Sequence, residues 1–333
     1  LASALLNIFK PQWFEHFRIV GVFLLLFFLG GNASFAQSEN RLGYFELDQT
    51  LQTSSGELSG TLTVPILKGT FPVALIIAGS GPTDRNGNNA QMKNNSLQML
   101  AHELAAQGIA SLRYDKRGIG MSASAMIPEE QLRFENYVED AKDWATQLKA
   151  DPRFNRLIIV GHSEGSLIGM LASEKADAFV SLAGAGRSID VILKEQLTAQ
   201  LSGQKKLLRI AVESISKLKK GERVEDAPAE LIALLHPSIQ PYLISWMKYD
   251  PVVEISKLNI PIIIIQGSTD LQVKEEDARL LFEAHRLDSR LVIIEDMNHV
   301  FKIAPLDREK NIETYSKPEL PLAEELVKLL GTL

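Results

Sequence analysis

A serine stands between two glycines in Gly161-His162-Ser163-Glu164-Gly165, directly after the apolar run Leu157-Ile158-Ile159-Val160 and directly before a helical pattern over 166–173. A tight strand-to-helix turn of this G-x-S-x-G type raises the serine hydroxyl above a sheet edge, and the glycines let neighbouring backbone approach where a Cβ would clash. The N-terminus of the following helix favours a developing anion at the same place. A serine hydroxyl is a weak nucleophile near neutral pH, so a base must take its proton and a third group must orient that base. In sites built on such a turn, the chain order is nucleophile, acid, histidine. Two later apolar runs supply the partners. Residues 262–265 lead into Gln266-Gly267-Ser268-Thr269-Asp270, and residues 291–294 lead into Glu295-Asp296-Met297-Asn298-His299. Asp270 and His299 are therefore the expected acid and base for Ser163. The chemistry would be acyl transfer: attack by Ser163, an acyl-enzyme, then hydrolysis by water that His299 activates.

Other residues of the right types fit less well. Asp296 and Asp250 are alternative acids, but only Asp270 follows the preceding strand in the expected way. His16 lies in the leader, His102 and His285 fall in helical patterns, His236 lies in an irregular stretch, and His162 should turn away from Ser163. Acyl transfer also needs donors aimed at the tetrahedral oxyanion. The backbone N–H of Glu164 is one candidate. The other is the N–H of Ser80 in Ala78-Gly79-Ser80-Gly81-Pro82, with Gly81 next to it. The polar run 83–89 is richer than a connecting turn needs, which makes Gly81, Asp84, Arg85 and Asn86 candidates for substrate contact; plain loop structure is the alternative.

The elements that must hold these residues can be read from periodicity. Loose apolar–polar alternation over 42–65, around Ser54-Ser55-Gly56-Glu57, predicts an antiparallel hairpin. Continuous apolar runs at 73–78, 110–114, 157–160, 178–182, 262–265 and 291–294 are those of strands buried on both faces of a parallel sheet. Helical spacing fills the gaps at 96–106, 135–148, 277–284 and 320–330. The fold class is thus α/β: a mostly parallel twisted sheet with helices on both faces, with strand C-termini along one edge. Residues 188–251 break the rhythm with helical patterns at 189–201, 207–218 and 229–235, punctuated by Pro237, Pro241 and Pro251. They are expected to form a helical cap inserted in a core domain of 37–187 and 252–333. Leu193, Leu197 and Leu201 lie on one face of it, either as an acyl-binding wall or as the seam to the main domain.

With these residues in view, the chain resembles an α/β-hydrolase, of the bacterial esterase branch that carries the serine aminopeptidase (S33-type) domain. The likeness rests on Gly79-Ser80-Gly81-Pro82-Thr83-Asp84-Arg85-Asn86-Gly87-Asn88, on Tyr114-Asp115-Lys116-Arg117-Gly118-Ile119-Gly120-Met121-Ser122, on the serine turn, and on the Asp270 and His299 contexts. It spans residues 58–330. The first oxyanion loop in this family often begins with His-Gly, where this chain has Ala78-Gly79. The resemblance implies hydrolysis of carboxylic esters with small to medium acyl chains, and no cofactor. A peptidase of aminopeptidase type would need an acidic anchor for the substrate amine, such as Glu164, Glu213 or Glu225. A catalytically silent binding protein would be expected to have lost a member of the serine, aspartate and histidine set, and none is lost.

Composition narrows the partners. The 333 residues carry 35 basic and 41 acidic side chains, a formal charge of −6, so no overall positive field draws nucleic acid. The short basic runs Lys205-Lys206 and Lys217 to Lys220 read as solvated helix faces. Cysteine is absent, which removes disulfides, thiolate metal sites and cysteine nucleophiles. The scattered histidines suggest no metal. Residues 19–29 form an apolar run too short for a comfortable bilayer span, flanked by Lys10, His16 and Arg18 and followed by Ser34 and Ala36. That is the pattern of a secretory signal peptide over 1–36, cleaved after Ala36. It implies a periplasmic or secreted protein with no stable membrane insertion after cleavage.

Overall fold

Apolar side chains of the central strands alternate between two clusters, as a period of two requires when both sheet faces are covered. Val73, Leu75, Ile77, Leu157, Ile159 and Phe179 join one cluster, and Ala74, Ile76, Ile158, Val160, Val180 and Leu182 join the other. The computed structural model describes residues 43–285 and 288–333; the signal peptide expected over 1–36 lies outside them. Among the described residues one sheet runs through β1 (Tyr44–Thr53), β2 (Gly56–Pro65), β3 (Phe71–Ile77), β4 (Ala110–Tyr114), β5 (Phe154–His162), β6 (Ala178–Leu182), β7 (Ile262–Gly267) and β8 (Ser289–Ile294). Its spatial order is β1-β2-β4-β3-β5-β6-β7-β8. β2 pairs antiparallel with both β1 and β4, and the remaining pairs are parallel. The expected hairpin is β1–β2, turning at Ser54-Ser55.

Helices α1 (Ser96–Ala106), α2 (Phe134–Ala150) and α3 (Glu164–Ala172) follow β3, β4 and β5. Between β6 and β7 come α4 (Ile189–Gln200), α5 (Lys205–Lys219), α6 (Ile232–Leu235), α7 (Gln240–Trp246) and α8 (Pro251–Ile255). The chain closes with α9 (Glu275–Ala284), α10 (Arg308–Glu313) and α11 (Glu324–Leu330). α2, α3 and α9 cover one sheet face, and α1 and α11 cover the other. Apolar residues of the 188–251 segment, Leu193, Leu197, Ile215 and Leu243 among them, belong to the first of these two clusters, so the segment shares its core with the sheet. Lys205, Lys206, Lys217 and Lys220 are exposed.

Local differences from the expected elements have physical reasons. α11 begins at Glu324 and not at 320, because Pro321 and the turn before it interrupt the helical pattern. Pro241 and Pro251 open helices: each occupies the first turn of α7 or α8, where its missing N–H costs nothing, and Asp250 caps α8 by accepting from Val252 N at 3.1 Å. No helix among the described residues is long and apolar enough to cross a membrane.

Candidate active site

β5 runs straight into α3, and Ser163 makes the turn with φ 55° and ψ −120°. A non-glycine residue in such a region carries strain of about 1–3 kcal/mol and persists only where its surroundings impose it. Here a Cβ at Gly161 would collide with the carbonyl of Gly165, and one at Gly165 would collide with the carbonyl of Ile77. Both glycines are thus required by close approach. Ser163 N donates to Leu182 O at 3.0 Å, which fixes the turn against β6.

The loops after β7 and β8 bring Asp270 and His299 together. His299 Nδ1 lies 2.8 Å from Asp270 Oδ2, and both side chains are buried. The same carboxylate accepts from Gln272 N at 2.7 Å, Val273 N at 3.0 Å and Gln266 Nε2 at 3.0 Å. Burial alone would raise the Asp270 pKa, but the charge and hydrogen bond of His299 and the two backbone N–H groups outweigh it, so the net shift is downward. Asp270 is therefore held ionised, with Nδ1 of His299 as donor and Nε2 as the basic nitrogen. The alternative acids are placed elsewhere: Asp296 is an exposed residue at φ 54°, and Asp250 is an exposed helix cap.

Three residues that sequence reasoning did not single out for this task hold the histidine loop. Asn298 is fully buried; its Oδ1 accepts from Val300 N and Lys302 N, both at 3.1 Å, and its Nδ2 donates to Thr314 Oγ1 at 2.7 Å. Asn311 on α10 donates to Thr269 O at 2.9 Å and accepts from Asn298 Nδ2 at 3.3 Å, so one amide ties the acid loop to the histidine loop. His162 does not simply turn away: Nε2 meets His299 O at 3.0 Å, and its ring packs on that of His299 with centroids 4.7 Å apart. Burial first, and then the charge on His299, push the His162 pKa down to about 3. The ring is thus neutral at working pH and acts as a donor to the loop carbonyl.

The two candidate oxyanion donors are joined from beneath. Lys116 Nζ donates to Gly79 O at 2.6 Å and to Glu164 Oε2 at 3.2 Å, and Glu164 Oε1 accepts from Tyr242 OH. Lys116 also lies over the Tyr137 ring, 5.1 Å from its centroid. Both charges of the Lys116–Glu164 pair are buried. The pair fixes the Gly79-Ser80 peptide relative to the first turn of α3, whose N–H groups have no intrahelical acceptor.

Gly81, Asp84, Arg85 and Asn86, expected from sequence to touch substrate, line neither cavity at the site. The structure assigns their polar groups to the loop itself and to β2, β4 and Asp115 behind it. Asp84 Oδ1 accepts from Asn86 N at 2.8 Å and Asn88 N at 2.9 Å. Arg85 pairs with Asp115 at 2.8 Å and reaches Thr61, and Asn86 Oδ1 accepts from Arg113 Nε at 3.1 Å. Gly81 turns the chain at φ 74°. Thr83, Met92 and Asn94 of the same region face the cavity in their place.

Two cavities meet at Ser163 and share Ser80, Ser163, Gln196 and Gln272. The larger, about 280 Å³, includes His162 and His299 in its wall; the smaller, about 70 Å³, includes Glu164, Leu167, Leu193 and Trp246. Of the carboxylates considered as amine anchors, Glu213 and Glu225 are exposed and absent from both walls, while Glu164 is already paired. Among the described residues no group of three or more His, Asp or Glu is placed to hold a metal ion.

A sheet with one reversed strand near its edge, a strained serine turn after β5, and acid and histidine loops after β7 and β8 are features of one fold, and the chain has the α/β-hydrolase fold. Residues 91–240 match the family described as serine aminopeptidase, S33. Esterase EstD of Thermotoga maritima is 29% identical over 253 residues, which cover 73% of this chain; the chain spans only 58% of that relative's length. Est1E from Butyrivibrio proteoclasticus, solved with bound ferulic acid, superposes with a TM-score of 0.54 at 15% identity, covering 81% of this chain and 96% of that one. The α/β hydrolase GrgF from a Penicillium species superposes at 0.54 with 18% identity, covering 86% and 99%. At such identities the structural likeness is one of fold.

Proposed function

We propose that the chain is a serine hydrolase that cleaves carboxylic esters through an acyl-enzyme. Ser163 is the nucleophile, His299 the base and then the acid, and Asp270 the group that orients it. The N–H groups of Ser80 and Glu164 hold the oxyanion. The observation that carries this reading is a single cavity walled by both Ser163 and His299, with His299 committed to an ionised Asp270 through Nδ1.

In the reaction, Ser163 Oγ forms a bond to the ester carbonyl carbon while its proton passes to His299 Nε2. The tetrahedral intermediate collapses, the carbon–oxygen bond to the alcohol breaks, and His299 returns the proton to the departing oxygen. Water then attacks the acyl-enzyme, again giving a proton to His299. The Ser163–acyl bond breaks, the proton returns to Ser163, and the carboxylic acid leaves. The Lys116–Glu164 pair supports this by fixing the donor peptides before reaction, which is what electrostatic stabilisation of an oxyanion requires.

Esters are favoured over N-terminal peptides because neither cavity wall offers an uncompensated carboxylate for a substrate amine. The esterase among the relatives supports the same choice. Turnover of p-nitrophenyl acetate and butyrate, set against aminoacyl-nitroanilides, tests it. Ester turnover should fall at least about 10³-fold in Ser163→Ala; preferential cleavage of the nitroanilides would replace the esterase by a peptidase. The proposal further treats residues 188–251 as a cap over the site and the chain as exported, which N-terminal sequencing of the mature protein checks.

A further inference from the structure

The two cavities at Ser163 differ in size and in which catalytic groups they contain, and that difference bears on which end of an ester each one takes. Resting on the esterase reading, we propose that the smaller cavity holds the acyl chain and the larger one the alcohol, so that the substrates are short-chain acyl esters of bulky alcohols.

The assignment follows from the proton. When the alcohol leaves, its oxygen must be protonated by His299, so the alcohol departs on the side that His299 walls. His299 and its neighbour Val300 line the larger cavity and not the smaller. Glu164, whose N–H is an oxyanion donor, lines the smaller one, and Ser80 lies where the two join. At a tetrahedral carbon on Ser163 Oγ, with its oxyanion on those N–H groups, the two remaining substituents diverge. The leaving oxygen takes the direction of His299, and the acyl chain takes the other.

Volume then sets the length. An apolar cavity of about 150 Å³ takes up a benzene ring. On that scale about 70 Å³ holds about three carbon atoms, the chain of a butyryl group, whereas about 280 Å³ holds about eleven. The smaller cavity is lined by Leu167, Ile192, Leu193 and Trp246, the last three contributed by the segment between β6 and β7. Its two charged residues are compensated. Glu164 is held by Lys116 and Tyr242, and Arg187 pairs with Asp277 and Glu195, both at 2.7 Å. The wall is therefore mainly apolar, and its volume limits the acyl chain that fits without displacing it.

Two ester series test the assignment on the intact chain. In p-nitrophenyl acetate, butyrate, hexanoate and octanoate the alcohol is constant; in phenyl, 1-naphthyl and 4-phenylphenyl acetate the acyl group is constant and the phenols are of similar acidity. Expected is a kcat/KM that falls at least about 100-fold from butyrate to octanoate, with the acetates comparable to one another. In Leu193→Ala the ratio of octanoate to butyrate turnover should rise about 10-fold or more; a ratio within one preparation does not depend on the fraction folded. Octanoate cleaved as fast as butyrate, acetates that fall steeply with alcohol bulk, or an unmoved ratio in Leu193→Ala would overturn the cavity assignment while the esterase reading stood. No hydrolysis of any ester, together with a fluorophosphonate that leaves Ser163 unlabelled, would overturn both.

Discussion

The loop after β3 and the loops after β7 and β8 are all polar, yet they spend their polar groups in opposite ways. Asp84, Arg85, Asn86 and Asn88 bond to the loop itself or to the hairpin and β4 behind it. Asp270, His299, Asn298 and Asn311 bond across from one loop to another, and the product of that network is one oriented imidazole. Both networks join distant segments: Arg85 with Asp115 and Asn86 with Arg113 are about as far apart in the chain as Asp270 and His299. What separates them is what they leave over. The first is consumed within itself, and the second leaves an oriented imidazole in the cavity wall.

Substitutions at the two loops should separate these roles. The largest effect is expected from Asp270→Asn, where the oriented tautomer of His299 is lost: kcat should drop about 10⁴-fold with little change in unfolding midpoint. A loss under tenfold would remove Asp270 from the mechanism. Lys116→Met lies where the loop after β3 meets the serine turn and should show both signatures. It strands the buried Glu164 carboxylate, a cost of about 3–5 kcal/mol in stability, and lets the Ser80 peptide drift, lowering kcat about 10²-fold. Adding Glu164→Gln should recover much of the stability and not the turnover, as urea unfolding alongside steady-state kinetics would reveal. Arg85→Ala belongs to the scaffold side. It removes the charge opposite the buried Asp115, which keeps only the backbone N–H groups of Arg85 and Met121, and should cost about 3 kcal/mol, while kcat per folded molecule stays at the wild-type level; a selective loss of kcat would return Arg85 to the substrate.

A further effect is a pH dependence at His162. The unfolded chain protonates this ring near 6.5 and the folded protein only near 3. Unfolding therefore takes up a proton between those values, and the stability this group allows is flat above that window and falls as pH is lowered through it. The urea midpoint should decline more steeply with acid in the wild type than in His162→Gln, which keeps a donor and lacks the titration. Parallel curves would contradict it.

What could be read from the sequence follows the same division. Buried parallel strands are nearly continuous apolar runs, so β3 to β8 were legible, and with them the loops that carry Ser163, Asp270 and His299. The serine turn was legible because its five-residue pattern lies directly between a strand-like run and a helical one. The amides of Asn298 and Asn311, the His162 ring and the Lys116–Glu164 pair were not, since each gains its role from residues brought together only by the fold; Lys116 and Glu164 are 48 positions apart. Gly81, Asp84, Arg85 and Asn86 line neither cavity; a loop whose polar groups are taken up by the strands behind it looks the same in sequence as one that awaits a ligand. Pro241 and Pro251 were read as breaks where they are helix starts, a distinction set by position within the first turn.

The central claim is that Ser163 carries the acyl group. Incubation with a fluorophosphonate, followed by peptide mass spectrometry, tests it most directly. One adduct on the peptide containing Ser163, absent from Ser163→Ala and from heat-unfolded protein, is the result predicted. An ester-hydrolysing preparation in which the adduct lies on another residue, or in which Ser163→Ala keeps its turnover, would contradict it.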